Sequence, residues 1–457
     1  MAETTKADVI AYLNKKGYST VSTDFYGFIK NWLNWYQAVA DDFHKTTFYN
    51  GISTVSREMM CLGMAKTVCE IWANLLMNEK VEISVGDERG NEILEEILKA
   101  NNFRVKANQL CEMYMASGTG AFVEYLDGGD VRIDYVSADM IFPLSWDSRG
   151  ISECAFGSRV RTQAGDGVYL QIHRKEKGAY VIENHMIADE LEGESAEMEL
   201  PEGLAAVVAT HSDIPFFQIV TPNITNNVNL RCPMGISVYA NAIDCLKELD
   251  TAFDALNVEI ETGRRMVFLS ADLFFTDQNG QMRNVVGEKE TVMRFIGGPG
   301  DSTEKKLIHD FTPELRIENL KEALQLQLNL LSQKVGMGTN QFEFTPSGAK
   351  TATEIISEDS DLYQNLKKHE LVLETALIGM VNAIAFLSAE VGKPLSIQET
   401  TINFDDSIIE DKKAERQEDR ADLANGTLRP EEYRSTWRGE TEEEALKNLP
   451  DQVGMLE

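Results

Sequence analysis

The sequence predicts an α+β fold in which helices and strands occupy separate blocks instead of alternating one by one. Three observations predict it. Apolar residues recur every three or four positions through the first 117 residues and again over much of 235–392. Between 121 and 220 they alternate every second position, between Gly and Asp turns. A shorter alternating block, 266–313, sits between two apolar-striped helices. The stretch 235–392 therefore reads as helix, β-rich insert, helix, glycine-bounded loop and long helix, and the rest of the chain is organised around it.

The chain has 457 residues, 43% of them apolar, enough for a sizeable core and two to four domains or one elongated subunit of several parts. It carries 74 Asp and Glu against 43 Lys and Arg, a formal charge of -31. Such a chain is repelled at long range by nucleic acid and by anionic membranes, and phosphate-gripping DNA binders are excluded. The six cysteines, Cys61, Cys69, Cys111, Cys154, Cys232 and Cys245, form no CxxC pair. Free, mostly buried thiols in a reducing compartment are expected, not a disulfide framework or a zinc site, and no metal ligands are expected. A polar segment follows Met1, so no signal peptide is expected. The longest uncharged run, 375–389, is shorter than the ~20 residues of a membrane span and reads as a buried helix. A soluble, intracellular protein with no membrane partner is expected.

The N-terminal block predicts helices over 4–16, 24–43, 59–76, 92–101 and 108–117. In the second, Phe25, Phe28, Ile29, Trp32, Leu33, Trp35 and Tyr36 have helical spacing and fit a helix docked into a core. Gly118-Thr119-Gly120 reads as a helix-to-strand turn. Strands follow at 122–125, 131–135, 167–173 and 180–182, continuing to about 220. His173-Arg174-Lys175 and Lys177, the densest basic cluster in this β-rich region, read as a solvated hairpin edge.

From 236 an apolar stripe runs through Val238, Ala242, Leu246, Leu249, Phe253, Leu256 and Ile260 to Gly263-Arg264-Arg265, which predicts a helix of roughly 40 Å. In the insert, strands are expected at 267–269, 273–275 and 292–296, with Phe274, Phe275, Arg294 and Phe295 among them. Pro313 and Glu314 open a second helix carrying Leu315, Leu320, Leu324, Leu328 and Leu331. The loop 336–350 contains Gly336, Gly338, Asn340, Gln341, Gly348 and Lys350, and its glycines allow movement. The last long helix, 351–392, has the stripe Leu362, Leu366, Leu373, Leu377, Met380, Ile384 and Leu387, with His369 beside it as an interface histidine. A charged helical tail follows, with Thr441-Glu442-Glu443-Glu444 as a capping box.

No catalytic constellation emerges. GxxxxGK[ST], GxSxG, HExxH and CxxC are all missing from the sequence, and Gly297-Gly298-Pro299-Gly300 lacks the Lys-Ser/Thr of a phosphate loop. Neither an enzyme nor a cofactor is expected. A hairpin of helices with a separate β-rich tip makes sense if many copies stand side by side as the wall of a channel. The other readings are an acidic adaptor or scaffolding protein without a pore, and a metal-dependent hydrolase.

Several segments carry a family likeness. Pro233-Met234-Gly235-Ile236-Ser237-Val238-Tyr239 leads into Ala242-Ile243-Asp244-Cys245-Leu246-Lys247 and Leu249-Asp250, followed by Glu259 and Gly263-Arg264-Arg265-Met266-Val267-Phe268. Farther on come Lys350-Thr351-Ala352-Thr353-Glu354-Ile355, Arg420-Ala421-Asp422-Leu423 and Glu431-Glu432-Tyr433-Arg434. In this order and spacing the chain resembles the portal proteins of tailed bacteriophages, particularly the group of Bacillus and Listeria siphophages. Arg429 departs from the pattern at the turn before Pro430, where a small polar residue is usual.

The resemblance implies an elongated portal fold and a ring of about twelve subunits in the virion, assembled in the host cytoplasm. Its parts would be a wing (1–235), stem helices (236–265 and 314–335), a clip (266–313), a tunnel loop (336–350), a wing-spanning helix (351–395) and a crown and tail (396–457). Leu249, Phe253, Leu256, Leu320, Leu324 and Leu328 would hold the stem together. Phe274, Phe275, Arg294 and Phe295 would offer the docking surface of the clip, and Gly336, Gly338, Asn340, Gln341, Gly348 and Lys350 would lie nearest the DNA. Implied partners are other copies of the chain, the terminase large subunit, a head-tail adaptor, the major capsid and scaffolding proteins, and double-stranded DNA passing without sequence specificity.

Overall fold

The helical N-terminal block forms around its aromatic residues. In the computed structural model, α1 (Ala2–Lys15) and α2 (Thr23–Tyr36) bury Val9, Leu13, Phe25, Ile29, Trp32 and Trp35, while Phe28 stays 45% exposed. The structure describes residues 2–49, 53–78, 81–162, 165–188, 197–201, 203–263, 266–270, 274–276, 282–284, 292–296, 308–339, 341–343, 352–404, 419–423, 425, 427–438 and 447. Of these, 2–8, 41–42, 162, 165–166, 188, 266–311 and 352–360 are described by backbone alone.

Helix α2 is shorter than the aromatic spacing predicts. Ser22 caps its start by accepting the Asp24 N–H, and the chain leaves the helix where Ala38 takes a φ of 57°. A single turn, α3 (Asp41–His44), then leads into a hairpin the sequence did not announce, β1 (Lys45–Tyr49) and β2 (Thr54–Glu58). The next helix, α4 (Met64–Leu76), accordingly starts five residues later than the apolar pattern suggests. Strand β3 (Glu82–Ser84), α5 (Glu88–Ala100) and α6 (Phe103–Ser117) complete the block.

The period-two region forms sheets as expected. β4 (Gly120–Asp127), β5 (Asp130–Ser137), β6 (Ile141–Asp147), β7 (Gly150–Thr162), β8 (Gly165–Glu176), β9 (Ala179–Ala188), β10 (Glu197–Met198), β11 (Val207–Ala209) and β12 (Phe217–Val220) follow in order. One antiparallel sheet runs β10-β9-β8-β7-β6 with β11 also on β9, and another runs β12-β4-β5. The basic cluster is corrected here. Register places His173 opposite Cys154, and its ring is buried against Phe156 and Phe217 with centroids 5.4 Å away in both cases. Arg174, one position on, faces out and pairs with Glu183 and Glu176.

Helix α7 (Ile243–Thr262) enters through a short 3₁₀ turn at Ala240–Ala242, so the α-helix spans 20 residues, roughly 30 Å and not the roughly 40 Å expected. The insert contains β13 (Met266–Ser270), β14 (Phe274–Thr276), β15 (Met282–Asn284), β16 (Val292–Ile296) and β17 (Ile308–Phe311). β13 lies between a parallel β16 and an antiparallel β17, while β14 pairs with β15. Helix α8 (Ile317–Lys334) returns alongside α7.

Helix α9 (Ala352–Glu390) is 39 residues long and packs on β4, β5, β12 and α4. It is long and apolar enough to cross a membrane, but Leu373, Leu377, Met380, Val381, Ile384 and Leu387 are buried within the fold. β18 (Thr401–Asn403) pairs with β3, and α10 (Pro430–Arg438) lies in the tail, where Arg429 N–H donates to Glu432 Oε2 across the turn. The predicted capping box at 441–444 lies outside the described residues.

Candidate functional site

The paired helices α7 and α8 carry the insert, and their packing decides where it sits. On α8 the leucine ladder holds from Leu320 onward: Leu324, Leu328 and Leu331 are buried, and Leu320 is half-buried. Leu315, by contrast, is exposed and precedes the helix, which starts at Ile317 and not at Pro313-Glu314. On α7 the ladder holds only at its start. Leu246 and Leu249 are buried, Phe253 and Leu256 are half-buried, and Ile260 is 47% exposed.

The deeply buried positions farther along α7 are two carboxylates, Asp250 and Asp254, one turn apart. Both grip the strap that follows β2. Asp250 Oδ1 accepts the Leu62 N–H at 2.9 Å, and Asp254 Oδ1 accepts the Met60 N–H at 3.0 Å. Arg57 reaches Asp254 with two guanidinium nitrogens, Nη1 at 2.7 Å from Oδ1 and Nη2 against Oδ2. The Arg57 hydrogen bonds hold the Asp254 carboxyl below its ordinary range. Burying an aspartate is costly unless its oxygens are satisfied, and the strap supplies those partners. Sequence reasoning missed this pair; the available signal was two Asp residues at i and i+4 inside an apolar row.

The base of the insert is closed by an ion pair. Arg316, just before α8, donates from Nη2 to Glu259 Oε2 at 2.7 Å, from Nε to Oε1 at 3.2 Å and from its backbone N–H to Oε1 at 3.1 Å. These bonds draw the Glu259 carboxyl from 4.5 down to about 2. A depressed folded-state value stabilises the fold above the ordinary carboxylate range, and that contribution is lost as pH falls through about 2. The melting-temperature difference between wild type and Glu259→Gln is therefore expected to be constant above about pH 5 and to shrink steadily on acidification below it. A difference that does not change between pH 6 and pH 3 would contradict this pairing.

The loop after α8 begins as a helix cap. Gly336 and Gly338 have φ of 82° and 79°, Met337 N–H donates to Ser332 O at 2.9 Å, and Asn365 Nδ2 on α9 donates to Gly336 O at 3.1 Å. Trp72 Nε1 adds a bond to Val335 O at 3.2 Å. The left-handed conformation of Gly336 thus serves to end α8, and the start of the loop is tied to α4 and α9. Gln341 is exposed, and the Phe342 carbonyl accepts from Gln325 Nε2 at 3.3 Å. Asn340, Gly348 and Lys350 lie outside the described residues. In the insert, Phe274 and Phe275 stand opposite Asn284 and Arg283 on the β14–β15 ribbon, and Arg294 and Phe295 opposite Phe268 and Leu269. The side chains of these four lie outside the described residues.

The buried titratable groups are dispersed. Burial lowers His173 to about 3 and His369 to about 4, so both are neutral at pH 7. His369 Nδ1 accepts the Asn223 N–H at 3.0 Å beside the Trp72 ring, as expected of an interface histidine. Burial raises Glu124 on β4 to about 8. Among the described residues, the group with metal-ligand chemistry is His44, Cys61 and Asp250.

No curated protein matches the sequence. Among solved structures, the chain is similar to one from the virion of a native gene transfer agent particle, with 10% identity, a TM-score of 0.40, and 84% of this chain and 89% of that one covered. The family model for "Phage portal protein, SPP1 Gp6-like" matches residues 18–436, most of the chain and the whole of the α7–insert–α8 hairpin. The chain therefore belongs to the SPP1 Gp6-like family of phage portal proteins, whose role is that of a portal at the capsid vertex.

Proposed function

We propose that about twelve copies of this chain surround a channel for double-stranded DNA, with the helices α7 and α8 as its stem and the insert 266–313 as its docking clip. The observation that carries this division of labour is the α7–insert–α8 hairpin, clamped at its base by Glu259 and Arg316. In a ring, neighbouring hairpins stand side by side, and the exposed Ile260, Leu315, Leu326 and Leu330 supply apolar contacts between them. The clip receives the terminase large subunit during packaging and the head-tail adaptor afterwards; the wing, residues 1–235, meets the capsid and scaffolding proteins. The loop 336–350 lies nearest the DNA. At -31 per subunit, the wall repels phosphate, so DNA slides without sequence-specific grip and the chain needs no catalytic turnover of its own. The segments 233–239, 263–268 and 350–355 favour the Bacillus and Listeria siphophage group, with assembly in the host cytoplasm.

Negative-stain microscopy of the purified chain is expected to show rings with a central hole. Particles without a hole would favour an acidic adaptor and overturn the conduit. Deleting 339–347 is expected to leave the rings intact while lowering DNA packaging at least tenfold. Wild-type packaging by that variant would remove the loop from the DNA path.

A further inference from the structure

We propose that His44, Cys61 and Asp250 form a binding site for a zinc-class transition-metal ion that locks the β1–β2 hairpin onto α7. The three residues are far apart in sequence, and the fold brings them together. His44 ends α3 immediately before β1, Cys61 follows β2, and Asp250 sits on α7. One donor atom from each lies within 4.8 Å of the others: Nε2 is 2.9 Å from Asp250 Oδ2, and Cys61 Sγ is 3.3 Å from the same oxygen.

Tetrahedral zinc, with bonds of about 2.0–2.3 Å, sets its donors roughly 3.3–3.7 Å apart. The two pairs that share Asp250 Oδ2 therefore need to open by only about half an ångström or less, and the third pair already lies within 4.8 Å. The surroundings are built to hold them. The Leu62 N–H occupies Asp250 Oδ1, which orients the carboxylate and leaves Oδ2 directed at the other two donors. The His44 ring is set by the rings of Trp35 and Phe43, each with its centroid 5.4 Å away. His44 and Asp250 are buried while Cys61 is only partly covered, which gives an ion a way in and leaves a fourth position for water.

A donor set of sulfur, imidazole nitrogen and carboxylate oxygen selects a borderline-soft divalent ion; hard ions such as calcium and magnesium take oxygen ligands. Binding replaces the Cys61 S–H bond with a sulfur–metal bond and releases that proton to solvent. The proton shared by His44 Nε2 and Asp250 Oδ2 moves to His44 Nδ1 or to solvent so that both atoms can ligate, with no change of oxidation state. The structural consequence falls on the hairpin. Among the described residues, β1 and β2 pair only with each other, and an isolated two-stranded ribbon is marginal in water. A metal at its base, together with Arg57–Asp254, anchors both strands to α7.

The test uses the reduced, chelator-treated full chain titrated with Co²⁺ alone. The expected result is a thiolate-to-cobalt charge-transfer absorption that saturates at one ion per subunit, is displaced by Zn²⁺, and is accompanied by a higher melting temperature. Cys61→Ser should abolish the band while melting like wild type without metal, because serine keeps a bond to Asp250; His44→Gln should weaken binding at least tenfold. Cys232→Ser should leave the band intact. Failure of any saturable band to appear would mean that hydrogen bonds alone join the three groups, and would overturn the site. A band that survives Cys61→Ser would overturn it equally. Should Cys61→Ser fail to fold, the His44→Gln titration decides in the same way.

Discussion

Replacing Gly235 with valine is expected to leave no soluble folded protein, and even Gly235→Ala should lower the melting temperature sharply. A Cβ built at 235 would lie 2.3 Å from the Gly118 carbonyl oxygen and 2.8 Å from Thr221 Cβ. The approach is mutual, since a Cβ on Gly118 would stand 2.6 Å from Gly235 O, at a φ of +88°. The nearest obstacle in each direction is backbone, so no side-chain rotation relieves the overlap. The segment is also fixed by hydrogen bonds: Gly235 N–H donates to Thr119 Oγ1 at 3.1 Å, and Val238 N–H to Met115 O at 2.9 Å. Through this contact the end of α6 sets the entry of α7, and hence the direction of the hairpin. Displacing it costs about 4 kcal/mol or more for valine, in the range of severe core lesions. Thermal melting and soluble yield of the two variants, with Gly27→Ala at an open position as control, measure the effect. A Gly235→Ala protein that melts within two degrees of wild type would refute the close-approach argument.

Period decided what the sequence made legible. The α+β division, the sheets of 120–220 and the strands of the insert follow from alternation that survives in the fold. On α8, Leu324 and Leu328 were readable because a leucine every fourth position has one physical use, burial on one face. On α7 the same rule failed after Leu249, because Asp250 and Asp254 take the buried positions and their partners lie about 190 residues upstream in the strap, a distance over which periodicity carries no information. The hairpin β1–β2 escaped notice because its Thr and Ser residues give no apolar alternation. His173 is hidden in the sequence for a different reason: it stands among charged neighbours, although strand alternation sends it inward and Arg174 outward. Gly336 was readable as special but not for its use. Its φ of 82° closes α8, and the Asn365 bond that holds it comes from another helix.

That anchoring carries the second large expectation, at Trp72. The indole is fully buried on α4, its Nε1 donates to Val335 O at the end of α8, and its ring meets His369 of α9 edge-on with centroids 4.9 Å apart. One side chain thus joins the three helices around the start of the loop. Trp72→Ala removes the largest fully buried side chain and is expected to cost about 3–5 kcal/mol. Trp72→Phe keeps most of the volume and loses the hydrogen bond, leaving the Val335 carbonyl without this donor, at about 1–3 kcal/mol. The phenylalanine variant should still form rings, but cleavage by added protease within 336–350 should quicken several-fold, because a tie that closes α8 is gone. Melting temperatures that fall in the order wild type, Phe, Ala, together with that faster cleavage, are the expected result. Equal loss in both variants would assign the whole effect to the lost hydrogen bond and none to packing volume, and unchanged cleavage in Trp72→Phe would show that Asn365 and the helix cap hold the loop without it.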